Sequence, residues 1–308
     1  MDLGSRAREN LIWIVVVAIV ITSIIAGSVY TLFLSPSEDN NTPSNGTAPK
    51  LSGEIAIDGI GTYSYNPKDI VTIRPDIFKP GYFSIFDILV WLNNTSQINM
   101  DYYFNETVSS HLIRSIDGKT NFWYSAYYSG GWHERNVFRM DHYPVKDDTT
   151  IRLFQKDSQE INDIYSTWFE EIERKKNNDG KVIIPKVIIS KYSEYLIFQD
   201  VNVTTHNLRS DMLQSGVITA LDTLLSLEDQ YDNFTVGLRW YESIGQAEIV
   251  KNYWVEQINS WHAEDRCGFV YEAGDEDFPF FSGNHIHIPS DICVINSPEY
   301  VEYFWLCI

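Results

Sequence analysis

Cysteine is scarce in this chain: three in 308 residues, none before Cys267. There is no Cys-x-x-Cys pair and no haem-attachment motif, which excludes a zinc finger and a c-type cytochrome. Positive charge is scarce too. Twenty-three Lys and Arg stand against 42 Asp and Glu, a formal charge of −19. Nucleic-acid binding needs a basic face for phosphates, and this balance argues against it. No phosphate loop, no Gly-x-Ser-x-Gly and no Ser/His/Asp order occurs, so no catalytic constellation is expected and the chain reads as a non-enzyme. What the sequence does hold is 44% hydrophobic and 14% aromatic residues. That is enough for a packed core, and the length allows two ordinary domains.

The stretch LIWIVVVAIVITSIIAGSVYTLFL, Leu11 to Leu34, carries no charge. As a helix it would reach roughly 36 Å, against a bilayer core of about 30 Å. Arg6 and Arg8 precede it and no Lys or Arg follows until Lys50. The positive-inside rule then predicts a single-pass signal anchor at the cell membrane, with residues 1–10 in the cytoplasm and the rest outside. A cleaved signal peptide, cut near Ala26-Gly27-Ser28, is the alternative. Residues 35–50, rich in Ser, Pro, Asn and Thr, read as a stalk. Glycosylation sequons begin at Asn40, Asn45, Asn93, Asn94, Asn105, Asn202 and Asn233. All lie beyond the apolar run. Outside the cell one disulfide is expected among Cys267, Cys293 and Cys307, with the pairing open.

Beyond the stalk the chain repeats loosely. YFSIFDILVWLNN (82–94) and GVITALDTLLSLED (216–229) each place an Asp near the start of a helix-spaced apolar run. With Asp87 set against Asp222, MDYYF lies opposite VGLRWY. Further on, Trp123 pairs with Trp254, His142 with His287 and Pro144 with Pro289. GEIAID and DIVTIR before the first helix match KVIIPKVIISK and EYLIFQDVNV before the second as strands. Between the copies, DSQEINDIYSTWFEEIERKKNNDGK reads as one amphipathic helix, with Asp157 and Glu160 at capping-box spacing.

The first copy, from SIFDILVWL through SIDG and FWYSAYYSGGW to YPVKDDTTIRLF, resembles the transcobalamin C-terminal-like domain, a β-grasp-type exported module. The second copy keeps the helix and YWVEQIN, loses SIDG, inserts RCGFVYEAGDEDFPFFSG and appends SPEYVEYFWLCI. The resemblance implies an α+β fold of two β-grasp-like modules, each a mixed sheet with one short helix, behind the transmembrane helix. The modules would span 51–156 and 181–308, separated by the helix at 157–180. It also implies that cobalamin, if bound, would meet Trp123, Tyr124, Tyr127 and Trp132. No helical barrel is present to supply the other half of a corrin site, and alternate strand aromatics suit a core.

His285 and His287 form a His-x-His pair that one strand face could offer to a metal. With no third ligand signalled and His287 set opposite His142, a structural role is the expectation. GDEDF at 274–278 could hold calcium but fits no EF-hand spacing. No cofactor is therefore expected. The expected function is a membrane-anchored extracytoplasmic binding protein that meets a surface protein or glycan. A cobalamin or other small-molecule module is the alternative, which a pocket lined by Trp123, Tyr127 and Trp261 would favour.

Overall fold

The computed structural model describes residues 53–128, 133–134, 138–146, 149–243, 251–276, 285–286 and 288–307. The strands of the first half are β1 (Gly53–Ile57), β2 (Gly61–Tyr65), β3 (Met100–Asn105), β4 (Ser110–Ile116), β5 (Phe122–Tyr128), β6 (His133–Glu134) and β7 (Thr149–Gln155), with helix α1 (Ile85–Asn94). Helix α2 (Ser158–Asn177) follows. The second half holds β8 (Val182–Lys191), β9 (Glu194–Val203), helix α3 (Ala220–Gln230), β10 (Val236–Tyr241), β11 (Asn252–Ile258), β12 (Trp261–His262), β13 (Cys267–Gly274), β14 (His285–Ile286) and β15 (Tyr300–Cys307).

Two five-stranded sheets carry the halves, ordered β2-β1-β7-β5-β6 and β9-β8-β15-β13-β14. The first and last strands of each run parallel, β1 with β7 and β8 with β15; the rest pair antiparallel. A smaller sheet accompanies each, β3-β4 in one half and β10-β11-β12 in the other. The halves are thus two copies of one strand order, fused into one compact unit over 49–308.

This architecture corrects the expected fold class. The chain is mostly β, in several small sheets, because the strands directly after each short helix, β3-β4 and β10-β11-β12, form sheets of their own beside the five-stranded ones. Among the described residues no helix is long and apolar enough to cross a membrane. The run 11–34 lies outside the described residues. DIVTIR is not a strand either: β2 sits earlier, at Gly61–Tyr65, and 69–74 becomes a connection. Asp87 takes the Ile73 N–H at 2.7 Å there, overriding the β-branched composition. The segments read as an insertion and an appendage in the second copy contain β13 and β15, the counterparts of β5 and β7.

Each short helix starts at a capping box. Ser84 N–H and Oγ donate to Asp87, and Thr219 N–H and Oγ1 donate to Asp222. A carboxylate there also favours the helix dipole. Ile85, Phe86, Ile88, Leu89 and Leu92 are fully buried, each worth about 1.5–3 kcal/mol over exposure. Helix α2 starts at Asp157, whose carboxylate accepts from Gln159 N–H; Glu160 pairs with Lys156 instead of closing the box. Its buried stripe of Ile161, Ile164, Trp168 and Ile172 packs towards the first half, where Trp168 meets Trp123 at 5.8 Å. Arg174 donates to the Ser297 carbonyl of the second half at 2.9 Å, so one helix grips both copies.

Candidate functional site

The copies meet along a short antiparallel seam. Phe78 faces Leu213, Lys79 N–H donates to Met212 O at 2.9 Å, and Gln214 N–H donates to Ile77 O at 2.8 Å. These segments are RPDIFKPG (74–81) and RSDMLQSG (209–216), one pattern of Arg-x-Asp, two apolar residues and a closing Gly. Gly81 and Gly216 have φ of +93° and +91°, a left-handed turn that a side chain would strain.

Each arginine of that motif turns inward to the same constellation. Arg74 donates to Asp76 through Nε (2.9 Å) and Nη2 (2.8 Å), and to Asp141 through Nη1 (2.7 Å). Arg209 donates to Asp211 twice at 2.9 Å and to Asp291 at 3.0 Å. Asp141 also accepts from Ser110 Oγ and His111 N–H; Asp291 accepts from Asn252 Nδ2 and Tyr253 N–H. A forked guanidinium shared by two carboxylates fixes the loop between motif and core. Burial alone would raise Asp141. Its coupling to His142, the hydrogen bonds from His111 and His142, and the Arg74 charge hold it well below the usual carboxylate range. Asp291 goes the other way: burial outweighs Arg209 and pushes it up.

Ser110, His111 and Asp141 bring together the residue types of an acyl-transfer triad, but in the wrong connection. Ser110 gives its proton to the carboxylate at 2.7 Å, not to an imidazole, and its side chain is fully buried. His111 Nδ1 lies 3.0 Å from Asp141, and its ring packs on Phe86 and Phe104. A nucleophile needs a base in reach and an exposed oxygen, and Ser110 has neither arrangement. The trio works as a scaffold.

The two clusters also differ five residues beyond each buried aspartate. Lys146 follows Asp141 and crosses the seam to donate to Asn252 Oδ1 in the second copy's cluster. Burial pushes its ammonium down to about 8. Asn296 follows Asp291 and faces the first copy's cluster, but its side chain is shorter. A cavity of about 190 Å³ stays open there, lined by Arg74, Asp76, His142, Lys175, Val217 and Asn296 among others. One water needs only roughly 10–15 Å³ of such space. Asn296 is 9% exposed, and its Nδ2 has no hydrogen-bond partner among the described residues. Lys175, from α2, makes no ion pair or side-chain hydrogen bond among the described residues; burial first, then Arg139, lowers its ammonium. Burial pushes His142 down to about 4, so its ring is neutral there.

The sequence candidates fall elsewhere. Trp123 and Tyr124 are core, the Tyr124 hydroxyl donating to Phe138 O at 2.9 Å. Tyr127 is exposed and Trp261 is half-buried against the core; none of these lines the cavity. Trp132 and His287 lie outside the described residues. His285 sits in β14 opposite Glu272. The matched positions are also corrected. Tyr124 corresponds to Tyr271, whose hydroxyl donates to Ile288 O, and Asp141 corresponds to Asp291, so His142 stands opposite Ile292, not His287. Trp254 lies on β11, the counterpart of β4, and so cannot match Trp123 of β5. In the 274–278 stretch, Glu276 is taken by Lys186 at 2.6 Å. Cys267 and Cys307 face each other on β13 and β15 and form the disulfide; Cys293 is a buried thiol outside it. Of the sequons, Asn94, Asn202 and Asn233 are exposed, Asn93 and Asn105 half-buried, and Asn40 and Asn45 lie outside the described residues.

The arginine motif was readable but missed. Arg74 and Arg209 each stand thirteen residues before the helix aspartate that set the alignment. Compared with family models, curated proteins and solved structures, the chain matches none of them.

Proposed function

We propose that this chain is an exported, non-catalytic binding protein, and that it binds a small molecule in the cleft between its two repeats. The observation that carries this reading is the broken symmetry at Lys146 and Asn296. One side of the seam is plugged by a lysine, while the other keeps a cavity of about 190 Å³ lined by Asn296 and by Lys175, which makes no ion pair among the described residues. The Cys267–Cys307 disulfide supports an oxidising compartment. Association with a membrane through residues 11–34 is part of the proposal and rests on sequence alone. The test is thermal: a small-molecule extract of the growth medium should raise the unfolding midpoint of the wild-type chain and leave Asn296→Lys unmoved. An equal shift in both would sink the cleft as the binding site.

A second reading, a protein or glycan met by surface contact, is favoured by β9, the edge strand of its sheet among the described residues. Tyr192, Tyr195 and Ile197 are 73%, 61% and 57% exposed on the β8–β9 hairpin, with Trp305 beside Tyr192. Edge strands with exposed apolar side chains invite pairing. Ile197→Lys should then abolish cross-links to a partner on the producing cell, and unchanged cross-linking would exclude this edge.

A further inference from the structure

The contact across the seam joins groups that can react with one another. Lys146 Nζ donates to Asn252 Oδ1, and Asn252 Nδ2 donates to Asp291 Oδ1 at 2.9 Å. An amine thus lies against one end of a carboxamide and a carboxyl group against the other. Asn252 and Asp291 are buried, which keeps bulk water from the amide. The backbone on both sides of the lysine is fixed: Val145 N–H donates to Phe83 O at 3.0 Å, and Thr149 Oγ1 to Lys146 O at 2.7 Å. Asp291 is held in turn by Arg209 Nη1 at 3.0 Å and Tyr253 N–H at 2.9 Å. Reactants fixed in contact replace a bimolecular encounter by an intramolecular one.

The sister cluster lacks both reacting groups. Ser110 stands there in the role of Asn252, and Asn296 at the place of Lys146. Amine and carboxamide therefore meet at Asp291, which Lys146 reaches from the other repeat, and not at Asp141.

We propose that Lys146 and Asn252 condense into an intramolecular isopeptide bond, with Asp291 as the proton carrier. The neutral amine adds its lone pair to Asn252 Cγ, and the carbonyl π pair moves to Oδ1. Asp291 in its acid form gives its proton to Nδ2. The pair on Oδ1 then returns, the Cγ–Nδ2 bond breaks and ammonia leaves. The Asp291 carboxylate takes the surplus proton from Nζ and is restored. The sum is amine plus primary amide giving secondary amide plus ammonia, with no oxidant or cofactor consumed. Burial supplies the protonation states this needs. It lowers Lys146 to about 8 against the pull of the Asp291 charge, and raises Asp291 against Arg209. The bond would tie the repeats together through positions 106 residues apart, whereas the Cys267–Cys307 disulfide lies within the second half.

Tryptic peptide mapping of the full-length chain, exported by its host and then reduced, tests this. Trypsin does not cut after an acylated lysine. The wild type should yield peptide 140–152 joined to peptide 252–266, lighter than their sum by one ammonia. Separate peptides 140–146 and 252–266 from the wild type would overturn the proposal. Lys146→Arg removes the nucleophile and keeps the charge, so peptide 252–266 should be released unlinked; a link that persists would overturn Lys146 as the amine. Asp291→Asn keeps amine and amide and should also leave the peptides separate. A link at wild-type yield in that variant would overturn Asp291 as the proton carrier. Because Cys293 is buried, its resistance to alkylation shows which variants have folded.

Discussion

Lys146 belongs to the first repeat and donates its ammonium proton to the Asn252 carboxamide oxygen in the second. This contact is a structural plug, and it carries an energetic signature. Burial lowers the lysine from 10.5 to about 8, so the folded chain binds its proton less tightly than the unfolded one does. Between those values the unfolded state holds more protons, and stability rises with pH. The shift is worth on the order of 3 kcal/mol. Unfolding midpoints of chains in which Lys146 is still an amine should therefore climb from pH 8 towards 10, and Lys146→Met should lose that slope. The reading stops near pH 10, because Tyr165, raised to about 12 by burial, favours unfolding once free tyrosines ionise. A slope retained in Lys146→Met would show that the plug is not the titrating group.

His142 gives the acid-side counterpart. Buried, it is lowered to about 4, against 6.5 when free. Its contribution to stability is complete above 6.5 and is lost as pH falls towards 4, again on the order of 3 kcal/mol. His142→Ile copies the second repeat, where Ile292 holds this place. It should flatten the wild-type decline between those pH values in urea unfolding, and an unchanged decline would assign it to other groups.

The two arginines should not be equivalent. Removing either leaves a buried carboxylate short of its cation, at about 3–5 kcal/mol. Among the described residues Asp141 would keep the hydrogen bonds of Ser110, His111 and His142, whereas Asp291 would keep those of Asn252 and Tyr253, with the Lys146 charge near it. Arg209→Met is expected to cost more than Arg74→Met in urea unfolding at pH 7; the opposite order would contradict this partner count.

Particular residues show how much of this was legible. The two short helices, each with an aspartate near its start, and the buried stripe of α2 were visible because their patterns are local, whereas the capping box expected at Asp157 and Glu160 does not close. A disulfide was expected, but β13 and β15 had to be paired before Cys267 and Cys307 could be chosen. The register of the repeat slipped past the first hairpin. Loops between matched strands differ in length, and aromatic likeness drew Trp123 to Trp254 when hydrogen-bond roles tie Ser110 to Asn252. The cleft was out of reach, because Lys175 and Asn296 lie far apart in the chain and only tertiary packing brings them together.

The disulfide and the remaining thiol make a chemical prediction. In the folded chain, thiol alkylation should label nothing, since Cys293 is fully buried. Unfolding without reductant should expose one site, and unfolding with it three. Reduction should also cost about 2–4 kcal/mol in stability, the usual effect of opening such a loop. Labelling of Cys293 in the folded state would contradict its place in the core.

Native mass spectrometry of the full-length wild type beside Asn296→Lys, both purified from a host that exports them, addresses the cleft most directly. The account predicts a low-mass non-covalent adduct on the wild type and a bare chain for the variant. The same adduct on both, or on neither, would contradict the claim that the space left by Asn296 is where this protein binds.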